Sequence, residues 1–106
     1  MIRVCICGGG SLGHVTAGYL AAKEGVQVNI LTRRPESWQK NIEILTPDNS
    51  SIKAEITTIT SDAQQAVENA DIVILCLPGY AIKEELTKIK PYIKPGTFVG
   101  SVFSST

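Results

Sequence analysis

The chain is predicted to fold as an α/β domain: a doubly wound, mostly parallel sheet with one small β-hairpin excursion. Three observations predict it. Short apolar runs at residues 2–7, 26–31, 72–77 and 97–102 alternate with helix-like segments, the pattern of strands joined by crossover helices. Ile72-Val73-Ile74-Leu75-Cys76-Leu77 is apolar throughout, as a central parallel strand covered on both faces must be. A glycine-rich turn, Gly8-Gly9-Gly10-Ser11-Leu12-Gly13, directly follows the first run and opens a helix.

Each element has its own signal. Ile2, Val4 and Ile6 alternate with Arg3, Cys5 and Cys7 in the first strand. Leu12, Val15, Thr16, Tyr19 and Leu20 follow at the spacing of one helix face, which predicts that this face is buried. Gly25 ends the helix, and residues 26–31 resume as a second strand. Pro35 suits a first helical position, with residues 36–40 as a short helix or turn. Residues 42–45 and 52–56 flank Pro47-Asp48-Asn49-Ser50, a hairpin signal. Ser61-Asp62-Ala63-Gln64 fits a capping box and opens a helix with Ala63, Ala66, Val67 and Ala70 on one face. Pro78-Gly79 ends the central strand. Ile82, Leu86 and Ile89 mark the buried stripe of the next helix, with Lys83, Glu84, Glu85 and Lys88 on its solvated face. Pro91 and Pro95-Gly96 then turn the chain into a last strand.

Composition narrows the function. At 106 residues the chain is a single domain, residues 1–106, and 43% hydrophobic content supports a packed core. Ten Lys and Arg balance ten Asp and Glu, so no electrostatic case exists for nucleic acid or an anionic membrane. No signal peptide precedes the first strand and no apolar run reaches a membrane-spanning length of about 20 residues, so a cytoplasmic protein is expected. Cys5, Cys7 and Cys76 all fall in strands, without the loop spacing of a metal site. They are expected to be buried, reduced thiols.

The glycine turn points to a dinucleotide. Gly8 permits a tight turn, Gly10 lets the backbone approach a pyrophosphate, and Gly13 lets helix and strand pack closely. The helix N-terminus then offers N–H groups and a positive dipole end to the phosphates. This predicts a Rossmann-type, cofactor-binding site built on Gly8, Gly9, Gly10, Ser11, Leu12 and Gly13. About twenty residues on, an NAD-preferring fold carries Asp or Glu at the end of the second strand. Here that place holds Thr32, followed by Arg33 and Arg34. Guanidinium groups suit a 2′-phosphate, so NADP is expected over NAD. Leu77, Pro78 and Gly79 sit at the carboxyl end of the central strand, where the cofactor should pass. Tyr80 and residues 101–104 are further candidates for the nicotinamide end. His14, the only histidine, is expected to pack rather than to catalyse, and no catalytic set can be assembled from these residues.

Gly8-x-Gly10-x-x-Gly13-His14-x-x-Ala17-x-Tyr19-Leu20-Ala21 resembles the first helix of the opine (octopine/nopaline) dehydrogenases. Leu77-Pro78-Gly79-Tyr80-Ala81, Lys90-Pro91-Tyr92-Ile93 and Gly96-Thr97-Phe98-Val99-Gly100 resemble later segments of that family's cofactor domain. The resemblance implies an enzyme that reduces an imine formed from an amino acid and a 2-oxo acid, with a helical C-terminal domain supplying catalysis. The N-terminal domain of ketopantoate reductase is the nearest alternative, and a stand-alone nucleotide-binding module is a third. The last strand lacks a covering helix, so the chain is expected to be a piece of a longer, homo-oligomeric enzyme.

Overall fold

The computed structural model describes residues 1–8 and 10–102. In chain order the elements are β1 (Ile2–Cys7), α1 (Ser11–Ala21), β2 (Val26–Leu31), β3 (Asn41–Leu45), β4 (Ser51–Glu55), β5 (Thr58–Thr60), α2 (Ala63–Val67), β6 (Ile72–Cys76), α3 (Gly79–Ile89) and β7 (Phe98–Val102). Single 3-10 turns stand at Pro35–Ser37 and Lys90–Tyr92. The main sheet runs β5-β2-β1-β6-β7, with every pairing parallel. Its direction of winding reverses between β1 and β6, which places a crevice at their carboxyl ends. β3 and β4 pair antiparallel as a separate hairpin, as the sequence predicts. β5 is an element that periodicity does not reveal: three residues, held by pairing with β2.

Alternation along the strands divides the core in two. Val4, Ile6, Val28 and Ile30 face α1 and the hairpin, where Ala17, Ile42 and Ile56 meet them. Cys5, Cys7, Val73 and Leu75 face the other side and pack with Ala63, Ala66, Val67 and Ile89. On α3, Ile82 packs against that cluster, whereas Leu86 is exposed. All three cysteines are buried and unpaired. The Cys7 thiol is pushed up by its hydrogen bond with Cys5 and by burial. Burial likewise raises Cys76, so Cys7 and Cys76 behave as neutral core thiols.

Besides the exposure of Leu86, two sequence expectations are corrected. The predicted apolar face of α1 is not the buried one: Leu12, Val15 and Tyr19 are exposed. The buried positions are Gly13, Ala17 and Gly18. The reason is steric. α1 lies between the sheet and the hairpin, and small residues let it approach both. A Cβ on Gly13 would come within 3.2 Å of the Gly8 carbonyl oxygen, and one on Gly18 would collide with Ile44. The second correction concerns α2. Its cap is Asp62, not Ser61: one carboxylate oxygen accepts from the N–H groups of Gln64 and Gln65. Such a cap contributes about 1 kcal/mol.

At the opposite end of the sheet, Asp71 ties three strands together. Its carboxylate accepts the Arg3 N–H at 2.9 Å, its own N–H donates to the Arg3 carbonyl, and its carbonyl accepts from Phe98. The Arg3 N–H, then the charge of Lys94 at 3.8 Å, hold its carboxyl below the usual carboxylate range. A depressed folded-state value means that the carboxylate stabilises the fold above the unfolded-state pKa, about 4. That contribution is lost as pH falls through the lower folded value. Asp71→Asn is therefore expected to lower the melting temperature at pH 7 and to narrow its gap to wild type on acidification. A constant gap between pH 7 and pH 2.5 would show that the Asp71 charge contributes nothing.

Candidate functional site

The glycine turn is shaped by the strand beside it. Gly8 has φ +127°, and a Cβ there would strike the Cys76 carbonyl oxygen of β6. Only glycine suits both constraints. The Gly8 N–H donates to the Leu31 carbonyl at 3.1 Å, fixing the turn to the end of β2. Gly9 lies outside the described residues. Gly10 is the N-cap of α1, in ordinary extended backbone (φ −80°, ψ −177°), and space beside it is open within 4 Å. Ser11 begins the helix and Leu12 points partly to solvent. Among the described residues no side chain caps α1 and no acidic residue occupies its first turn. An uncapped helix start with open space at its glycine suits an anion.

Thr32 follows β2 and is nearly buried. Its N–H donates to the Thr60 carbonyl at 2.9 Å, and its hydroxyl accepts from the Arg34 N–H at 3.3 Å. The missed strand β5 therefore positions Thr32, and Thr32 in turn holds the backbone of Arg34. Arg33 and Arg34 are exposed along one wall of a cleft of about 400 Å³. Gly8, Leu31, Leu77 and Pro78 also line it. Leu77 packs onto the core below, and Pro78 is the N-cap of α3. Gly79 is the first residue of that helix but does not line the cleft.

Several lining residues escape the sequence argument. Ser37 and Trp38 come from the turn after β2, and Ala81, Glu84, Glu85 and Lys88 from α3. Glu84 and Lys88 are solvent-exposed, as the sequence predicts, and with Glu85 they also form the second wall of this cleft. Tyr80 lines the same cleft as the arginines. Ser101 lies in β7, while Ser104 falls outside the described residues. His14 packs its ring on Trp38, with centroids 5.3 Å apart, a packing role as expected. Among the described residues no group of side chains could hold a metal ion, and no helix is long and apolar enough to cross a membrane.

Comparison with known proteins places these features in context. Residues 4–103 match the family model described as ketopantoate reductase PanE/ApbA. An opine dehydrogenase of Haliotis discus hannai is 34% identical over 113 residues, covering 92% of this chain and 28% of the relative. A solved octopine dehydrogenase with NADH and L-arginine superimposes with TM-score 0.85 at 28% identity, over 95% of this chain and 28% of that one. A putative ketopantoate reductase from Ralstonia solanacearum MolK2 gives TM-score 0.76 at 28% identity, over the whole of this chain and 33% of that one. The chain thus spans less than a third of the opine and octopine dehydrogenases it resembles.

Proposed function

Because the chain belongs to the ketopantoate reductase PanE/ApbA family, we propose that it is the nicotinamide-cofactor domain of an opine dehydrogenase-like oxidoreductase. Its parent would reduce an imine formed from an amino acid and a 2-oxo acid. The observation that carries this proposal is the open, uncapped start of α1 at Gly10, beside a cleft whose wall is Thr32, Arg33 and Arg34. The loop from Gly8 to Gly13 would hold the pyrophosphate through backbone N–H groups. Leu77 and Pro78 would flank the path toward the nicotinamide, whose contribution is a hydride. Thr32 would hold the Arg34 backbone, and Arg33 and Arg34 would receive a 2′-phosphate, so that NADPH binds more tightly than NADH. In this proposal the chain binds and orients, and the acid–base groups belong to another domain.

The likeness to opine and octopine dehydrogenases supports the imine substrate. A second reading, a ketopantoate reductase-like parent acting on a ketone, rests on the family match. A homo-oligomeric parent is part of this proposal.

Trp38 is the only tryptophan and lines the cleft, so its fluorescence should change when either reduced cofactor is titrated in. For the activity, the full-length parent should oxidise NADPH only when an amino acid and a 2-oxo acid are supplied together. Oxidation with ketopantoate alone would favour the second reading. An unchanged Trp38 signal, with no heat of binding for either cofactor, would overturn the assignment of the cleft.

A further inference from the structure

The two walls of the cleft differ in charge. Arg33 and Arg34 stand on one, and Glu84 and Glu85 on the other with Lys88 beside them. The walls meet where Arg33 Nη2 lies 3.8 Å from Glu84 Oε1. Both side chains are more than four-fifths exposed, at 84% and 81%, so the pair contributes little to holding the fold. Its importance lies in what it occupies. A carboxylate at the end of β2 would ordinarily discriminate between the two nicotinamide cofactors, and Thr32 stands there instead. Glu84 brings a carboxylate into the same cleft from α3 and sets it against the same guanidinium.

We propose that Glu84 is a specificity-determining residue, competing with the 2′-phosphate of an adenine dinucleotide for Arg33. The inference rests on the proposal that Arg33 receives that phosphate. A phosphate dianion reaching Arg33 must displace the Glu84 carboxylate and then remain close to its negative charge. A ribose 2′-hydroxyl faces neither demand. Glu84 therefore weakens binding of the phosphorylated cofactor selectively and holds the preference for NADPH below what two arginines alone would give.

The test compares wild type with Glu84→Gln, which keeps the shape and removes the charge. Trp38 fluorescence is titrated with NADPH and NADH, and with adenosine 2′,5′-bisphosphate and 5′-AMP as nicotinamide-free probes. At low ionic strength, Glu84→Gln is expected to tighten NADPH and the bisphosphate about three- to fivefold, the range of an exposed ion pair. NADH and 5′-AMP should stay unchanged, and the gain should shrink in high salt. In an Arg33→Ala background the gain should vanish, as a double-mutant cycle requires for a coupled pair. Equal effects on both cofactors, no effect on either, or a gain that persists without Arg33 would overturn the role of Glu84. If Arg33→Ala alone weakens NADPH and NADH equally, the phosphate assignment fails, and the competition proposed for Glu84 fails with it.

Discussion

Gly10→Val is expected to lower nucleotide affinity by about a hundredfold while leaving the chain folded. The backbone at Gly10 is extended and any residue can adopt it. The space within 4 Å of a Cβ there is open, so a side chain can be added without displacing the fold. That same space is where a pyrophosphate would approach the start of α1. Filling it forfeits N–H contacts and crowds the ligand, a combined loss of about 3 kcal/mol. Gly8→Ala should behave in the opposite way. There φ is +127° and a Cβ strikes the Cys76 carbonyl, so the fold itself weakens by about 1–3 kcal/mol or more. Thermal melts beside Trp38 titrations separate the two outcomes. A Gly10→Val protein that binds normally would place the phosphates elsewhere.

Arg33→Ala combined with Arg34→Ala is expected to weaken NADPH ten- to hundredfold and NADH far less. A hydrogen bond to a charged group is worth about 1.5–3 kcal/mol, which spans that range. Thr32→Asp with Arg33→Ala should go further and reverse the preference. The new carboxylate can still accept the Arg34 N–H that the Thr32 hydroxyl now accepts, so the turn is retained. It would also accept a ribose hydroxyl and repel a phosphate. Calorimetric titration with both reduced cofactors decides the matter. Equal losses, or a wild type that already prefers NADH, would reduce the arginines to surface charge. The comparison matters because the similar octopine dehydrogenase was solved with NADH.

Much of this architecture is legible in the sequence because strands announce themselves by pattern. The continuous apolar run of β6, the alternation in β1 and the turn before β4 each map to their elements. β5 escapes because three residues carry no period; its existence depends on β2 lying beside it. The buried face of α1 is misjudged for a different reason. Periodicity assigns the larger apolar residues to the core, but a helix wedged between sheet and hairpin is selected for thinness, hence Gly13, Ala17 and Gly18. The α3 wall is hidden because a charged helix face looks the same whether it borders bulk water or a water-filled cleft. Glu84 and Lys88 carry no mark of the difference. Trp38 reaches the cleft from an irregular turn, where sequence spacing says little about direction; contact with His14 and packing against the core anchor it.

The seat of the hairpin on α1 has a consequence for how such sequences can diverge. Gly18 and Ile44 occupy the same volume between them, and Ile42 lies 3.5 Å from where a Cβ on Gly18 would stand. The two positions are coupled: a methyl group at 18 demands another Ile44 rotamer, a smaller residue at 44 or a displaced hairpin. The two sites should therefore vary together across homologues, although the loop at the end of β2 separates them in the chain. A hairpin transplanted from a relative would have to bring its matching helix position with it. The excursion at β3 and β4 is thus expected to pass between relatives together with the helix that opens the nucleotide loop, rather than as an exchangeable insertion.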